Sequence, residues 1–252
     1  MKEQKKYAIS VIAGLLTIIV SSIILFSSGN YAVYTANTIR RKLPVYGVGR
    51  DDGALSISFD CAWGTDYTDK ILDTLDFYNV KATFFVVQFW AEKYPDYLKK
   101  IVGRGHEVGT HSKTHPKMSK LSAEEIEEEL KSSVAAIENV TGQKVKLFRP
   151  PFGDYDDKVI TAAENLGLYT IQWNVDSLDW KNLSAEQIAA RVIKKAGSGS
   201  IILMHNNGLH TAESLPLIFT ATQQKGLVYR PISELIYTDD FRITPDGTQI
   251  KN

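Results

Sequence analysis

The sequence predicts an α/β domain. A closed or nearly closed β/α barrel suits its element count, and a doubly wound open sheet is the competing architecture. Three observations carry this. Strand-like runs alternate with helical patterns from Ala54 onwards. Several runs are almost wholly apolar, as parallel strands covered on both faces are. Polar, titratable residues collect at the carboxyl ends of those runs rather than along them.

In chain order, the strand candidates are 55–60, 81–87, 106–110, 145–149, 169–175, 200–205 and 227–231. The helices between them carry legible start and stop signals. Thr68 opens one whose inner face is Ile71, Leu72 and Leu75. Ser122 and Glu125 form a capping box ahead of Ile126, Leu130, Val134 and Ile137, and Gly142 closes that helix. A further helix spans about Asp156 to Leu166 and stops at Gly167. Ser184 and Gln187 repeat the box before Ile188, Val192 and Ile193. The last long helix runs from about Ala212 to Lys225, with Pro216 near its first turn, where a missing N–H is tolerated. No glycine-rich phosphate loop follows the first strand, so a nucleotide-binding version of the fold has no support.

The amino end reads differently. Lys2, Lys5 and Lys6 precede a stretch without charge from Tyr7 to Ile39. Within it, Ala8 to Phe26 is apolar with no polar face, and as a helix it spans roughly 28 Å, about the thickness of a bilayer core. The run is longer than the apolar region of a cleaved signal peptide and lacks a clear Ala-x-Ala site. Residues 1–27 therefore read as an uncleaved signal anchor, 28–52 as a linker, 53–240 as the main domain and 241–252 as a tail. The lysines would stay cytoplasmic and the main domain would be extracytoplasmic.

Net charge is zero over the chain, yet beyond position 52 there are 22 basic against 26 acidic residues. A slightly acidic domain without an Arg/Lys stripe argues against a nucleic-acid partner. The single cysteine, Cys61, excludes an internal disulfide.

The chemistry sits at the strand ends. The first strand ends in Asp60, the third runs into His111 and His115, the fourth ends in Arg149, the fifth in Asp176 and Asp179, and the sixth in His205. In a β/α barrel these ends share one face, where catalytic groups gather. His111 and His115 are spaced H-x-x-x-H, which suits a divalent metal. Asp60 is a carboxylate on an apolar strand, costly unless paired, and Arg149 is its expected partner, holding it ionised as a general base. Asp176 is expected to pair with His205 and keep that imidazole protonated as a general acid. Asp179 reads as a turn or cap residue, and His106, at the opposite end of its strand, as structural. Trp63, Trp173 and Trp180 are candidates for stacking on a sugar face.

"SFDCAWG", "HSKTH", "RPPFGDYD", "DSLDW" and "ILMH" occur in the order and spacing of five motifs of the polysaccharide deacetylases, carbohydrate esterase family 4, which this chain resembles over roughly residues 53–238. The "FD-x-x-WG" variant with an anchor is similar to the sporulation-associated branch. The resemblance implies a distorted (β/α)7 barrel preceded by a transmembrane helix, and metal-dependent N-deacetylation of an N-acetylhexosamine polymer such as peptidoglycan. It implies that Asp60 is the base, oriented by Arg149, and that His205 is the acid, oriented by Asp176. It implies that His111 and His115 bind Zn²⁺ or a similar ion such as Co²⁺. The backbone after Pro151 would bind the oxyanion, with Phe152 where many members have tyrosine, and Trp180 would line the substrate groove. A cell-surface or forespore-intermembrane location follows from the same resemblance. One position departs. The family's second motif aspartate, a metal ligand, is Cys61 here. Three readings stay open: a thiolate ligand, a site held by the two histidines and water, or a small buried residue. The last two suit a degenerate member that binds glycan with little turnover.

Overall fold

The computed structural model describes residues 41–252, which form one compact unit, Arg41–Asn252. The signal anchor expected at 1–27 and the first part of the linker lie outside the described residues. Among the described residues no helix is long and apolar enough to cross a membrane.

Seven parallel strands make a curled sheet: β2 (Ala54–Cys61), β3 (Thr83–Val86), β4 (Glu107–Thr110), β5 (Leu147–Phe148), β6 (Tyr169–Thr170), β7 (Val175–Asp176) and β8 (Ile201–His205). Their order, β6-β5-β4-β3-β2-β8-β7, is the chain order of a β/α barrel left open between β6 and β7. The run 169–175, expected as one strand, is two short strands flanking that opening. Polar Gln172 and Asn174 fall between them, and neither continues an apolar ladder. The segment before the barrel fills the seam. Val45 bridges to Ile171, and β1 (Gly47–Val48) bridges from Gly47 to Ser200.

The helices are α1 (Thr68–Phe77), α2 (Gln88–Lys93), α3 (Pro95–Gly103), α4 (Ala123–Thr141), α5 (Asp157–Asn165), α6 (Ala185–Lys195), α7 (Thr211–Gln224) and the short α8 (Ile232–Leu235). Both capping boxes form as the sequence predicts. Ser122 accepts from Glu125 N–H and Ser184 from Gln187 N–H, each with the return bond. Gly142, at φ 69°, ends α4 in the left-handed region where a side chain is disfavoured.

All eight residues of β2 are buried, so period-two alternation separates two cores rather than core from water. Leu55, Ile57, Phe59 and Cys61 face the helices, among Leu72, Trp90 and Leu130. The other face looks into the barrel. Its floor is filled by Val45, Phe85, Leu147, Ile171, Ile201 and, from α8, Ile232 and Leu235. Ser56 and Ser58 on this face donate to the carbonyls of Arg230 and Ile202. Asp60 is the last inward residue, above the filled floor.

The seventh expected strand, 227–231, is β9 (Val228–Tyr229), which pairs with the start of β2 outside the barrel circuit. Residues 241–252, expected as a tail, are ordered. β10 (Phe241–Ile243) and β11 (Thr248–Lys251) form a hairpin whose second strand runs parallel to β1. The turn is tied by Asp246, which accepts from Thr248 N–H and both threonine hydroxyls.

Candidate active site

The carboxyl ends of β2, β4, β5, β7 and β8 surround a cavity of about 500 Å³ lined by Asp60, His111, His115, Asp176 and His205 together with four aromatic rings. Asp60 is buried, and its Oδ1 accepts from Arg149 Nη1 at 2.8 Å. Arg149 is wholly buried. Its Nη2 donates to the Gln172 carbonyl at 3.2 Å, and its guanidinium lies 4.1 Å from the Phe85 ring centroid. Burial alone would raise the Asp60 carboxyl. The charge of Arg149 outweighs it, with that of His205 adding to it, and Asp60 is held below the ordinary carboxylate range. The ion pair expected between Asp60 and Arg149 is present.

His111 follows β4 and is buried. Its Nδ1 lies 2.7 Å from the Arg149 carbonyl, which can only accept, so Nδ1 carries the proton and Nε2 keeps its lone pair. Nε2 is 3.5 Å from Asp60 Oδ2, and burial keeps the ring neutral by lowering its pKa. His115 closes the loop with a left-handed backbone, φ 60°, as does Ser112 at φ 72°, whose hydroxyl accepts from His115 N–H. The loop is secured by a residue the sequence reading did not single out. Glu129 of α4 accepts from the backbone N–H of Lys113 and Thr114, both at 2.8 Å, and from the Thr114 hydroxyl at 2.6 Å. Burial and the neighbouring His111 push His115 down to about 4. Its ring meets those of Trp63, His111 and Phe152 edge-on, at 5.0, 4.9 and 4.6 Å between centroids.

His205, at the end of β8, is oriented by Asp179 and not by Asp176. Its Nδ1 is 2.7 Å from Asp179 Oδ1, and its backbone N–H donates to Oδ2 at 2.8 Å. Thr211 also donates to Oδ2, at 2.6 Å. Asp179 is fully buried, and Gly208 makes room for this knot, because a Cβ there would lie 2.2 Å from Thr211 Oγ1. The reason for the exchange is local. Leu178 adopts the left-handed conformation, φ 53°, which turns the chain so that the second aspartate of "DSLD" points inward. Asp176 instead accepts from Leu178 N–H at 2.9 Å and shapes that turn. Desolvation would lower His205. The hydrogen bond and charge of Asp179, then Asp60 and Asp176, overcome it, and its pKa is raised.

Cys61 is not at the site. It follows Asp60 on the same strand, so its side chain points to the opposite, helix-facing core, with Sγ 3.8 Å from the Phe59 carbonyl. Burial, then the nearby Asp60 charge, pushes the thiol well above its ordinary range. Of the three open readings, the structure matches the buried small residue. Among the described residues no group of three His, Cys, Asp or Glu is placed to hold a metal. His111 and His115 thus stand as two neighbouring imidazoles without a third protein ligand.

Phe152 sits on the turn Pro151–Gly153 at φ 60°, with its ring 65% exposed over His115. Trp63 and Trp180 are 61% and 56% exposed at the rim, and Trp173 lies beneath, near Arg149. His106 is structural, as expected. It is buried, accepts from Ala82 N–H through Nδ1, and is lowered to about 4, chiefly by desolvation.

Comparison with known proteins shows the family. A model of the family described as "Polysaccharide deacetylase" matches residues 47–171. The peptidoglycan-N-acetylmuramic acid deacetylase PdaA of Bacillus subtilis is 30% identical over 82% of this chain and 81% of its own length. The chain belongs to the polysaccharide deacetylase family. Uncharacterized protein YlxY of Bacillus subtilis is 37% identical over 77% of this chain, and the match spans 60% of that relative. Among solved members, BA3943, described as a CE4 family pseudoenzyme from Bacillus anthracis, superposes with a TM-score of 0.74 at 36% identity. That match covers 76% of this chain and 68% of that one. A BA3943 mutant with restored enzymatic activity matches equally well.

Proposed function

We propose that this deacetylase-family chain hydrolyses the N-acetyl group of an N-acetylhexosamine polymer of peptidoglycan type, in the cell wall or spore cortex. The observation that carries the reading is a base and an acid with opposite protonation bias in one cavity. Asp60 is held ionised by Arg149, and His205 is held protonated by Asp179. Asp60 takes a proton from water as its oxygen attacks the acetamide carbonyl. Of the backbone N–H groups after Pro151, those of Gly153 and Asp154 donate to the Pro150 and Pro151 carbonyls, which leaves Phe152 N–H to donate to the developing oxyanion. Nδ1 of His205 is committed to Asp179, so Nε2 delivers the proton to the departing nitrogen. The C–N bond breaks, leaving acetate and a free amine on the sugar. His111 and His115 would hold a divalent ion, Zn²⁺ foremost, which when bound lowers the pKa of water and polarises a carbonyl. The exposed rims of Trp63, Phe152 and Trp180 offer apolar faces to sugar rings. The charge-free run Ala8–Phe26 supports a membrane tether, with the domain outside the cytoplasm facing its glycan.

The test is acetate release from N-acetylated glycan fragments. Asp60→Asn and His205→Ala are each expected to abolish it, and ordinary activity in both overturns the assignment. A second reading, glycan binding without turnover, is favoured by one observation: Cys61 faces the core and leaves two imidazoles where a resident ion needs a third ligand. Saturable glycan binding with no acetate release in either Zn²⁺ or Co²⁺ would establish it in place of the first.

A further inference from the structure

We infer that Gln172 is a positioning residue for the proposed reaction, tying the arginine that holds the base to the turn that carries the oxyanion donor. This rests on reading the cavity as a deacetylase site. Gln172 lies in the gap between β6 and β7, where the barrel is open. It is 2% exposed, and a polar side chain buried that far costs free energy unless its groups are bonded. Three of its groups are committed, each to a different part of the fold. Its N–H donates to the Val45 carbonyl at 2.8 Å. Its carbonyl accepts from Arg149 Nη2 at 3.2 Å. Its side-chain Nε2 donates to the Gly153 carbonyl at 3.2 Å.

The last two bonds reach the two halves of the proposed step. Arg149 passes the constraint to Asp60 through Nη1, at 2.8 Å. Gly153 ends the turn on which Phe152 stands. Phe152 has φ 60° and Gly153 φ 66°, so two successive residues are left-handed, and the first carries a bulky ring. Such a backbone persists only where its surroundings hold it. One hold is the Asp154 carboxylate beyond the turn, which accepts from the N–H and the hydroxyl of Ser119, at 2.8 and 3.0 Å. The other is Gln172. Its packing there is close: a Cβ built on Gly153 would lie 3.2 Å from Gln172 Oε1 and 3.1 Å from Cη2 of Trp173. The internal bonds of the turn engage Gly153 N–H and Asp154 N–H and not Phe152 N–H. An oxyanion donor works only if it is fixed before charge develops, so the residue that fixes it acts on the transition state more than on ground-state binding. Because Val45 holds Gln172, the segment ahead of the barrel also takes part in shaping the site.

The test compares the wild type with Gln172→Met, which keeps the length of the side chain, loses its donor and leaves the main-chain bond to Arg149 in place. The full chain, labelled with ¹⁵N-phenylalanine and held in detergent micelles, is titrated with sodium acetate, a small anion whose oxygens stand in for the one the donor would meet. In the wild type, saturation is expected to move the Phe152 amide proton downfield. In Gln172→Met the acetate affinity read at that proton should fall about tenfold, the value of one buried hydrogen bond left unmade. On glycan fragments kcat should fall by a similar factor with KM within about twofold, and the acid limb of the rate profile, set by Asp60, should stay in place. A dispersed amide spectrum shows that the variant folds; if it does not fold, Gln172→Leu, shorter and equally without a donor, takes its place. An unaltered acetate response in the variant, no response in the wild type, or a loss confined to KM overturns the inference. A weakened response in the variant, with no acetate release from glycan by the wild type, keeps Gln172 as the holder of the turn and removes the deacetylase reading. Acetate release by the variant at the wild-type rate does the reverse.

Discussion

Asp179→Asn separates two nearly isosteric assignments, because the same change at Asp176 should do little. Asp179 is fully buried and accepts three hydrogen bonds, from His205 Nδ1 at 2.7 Å, His205 N–H at 2.8 Å and Thr211 Oγ1 at 2.6 Å. An asparagine has one acceptor oxygen and no charge, so at least one charge-assisted bond to the imidazolium is lost. Such a bond is worth about 1.5–3 kcal/mol, and the protonated fraction of His205 falls roughly 10- to 150-fold at a pH above its pKa. Turnover near neutral pH should drop by a similar factor, and the alkaline limb of the rate profile should move to lower pH. Stability gives an independent sign. The pKa of folded His205 is raised, so its pairing stabilises the fold fully below the unfolded value and is lost as pH rises through the folded one. The urea-denaturation deficit of Asp179→Asn should therefore be larger near about pH 5.5 than near about pH 9. NMR titration of the His205 ring protons reads the same shift without turnover. An unchanged midpoint in Asp179→Asn, or an equal shift in Asp176→Asn, would refute the pairing.

Arg149→Met strands the Asp60 carboxylate and is expected to cost about 3–5 kcal/mol in urea denaturation at neutral pH. Because the Asp60 pKa is depressed in the fold, that deficit should shrink as pH falls through the folded value and the carboxyl protonates. Cys61→Ala should leave Zn²⁺ retention unchanged in equilibrium dialysis while His115→Ala abolishes it, and zinc lost from the cysteine variant alone would reinstate a sulfur ligand. Retention by the wild type should fail as pH approaches about 4, where His115 protonates. Glu129→Ala should cost about 1–3 kcal/mol and speed amide exchange at Lys113 and Thr114, and unaltered exchange at both would show the anchor to be idle.

What was legible in the sequence follows from the range of the interactions involved. Capping boxes at Ser122 and Ser184 act within three residues, and both form as read. The Asp60–Arg149 pair spans 89 positions, yet a carboxylate on a buried strand demands a cation, and Arg149 closes the strand candidate at 145–149. The choice between Asp176 and Asp179 was beyond such reasoning. It turns on the left-handed backbone of Leu178, a residue type with no preference for that conformation. Glu129 was hidden for a different reason. Within the run Glu127–Glu128–Glu129 nothing local says which carboxylate meets a loop fifteen residues away. Cys61 was left open as well. Alternation turns it away from Asp60, but the resemblance set a ligand aspartate at the same position, and only the packing of Cys61 among the helix-facing residues decides between them.

Asp60 and His205 are register partners across the parallel ladder joining β2 to β8, in the middle of the sheet. The spacing between the proposed proton acceptor and proton donor is thereby set by backbone pairing, not by loop conformation. Every rim feature, from the Trp63 turn to the Leu209 loop, can then be lengthened, shortened or exchanged by evolution without retuning the reacting pair. Inheritance in this molecule is partitioned. The ladder fixes what is done to a bond, and the loops are left free to choose whose bond it is.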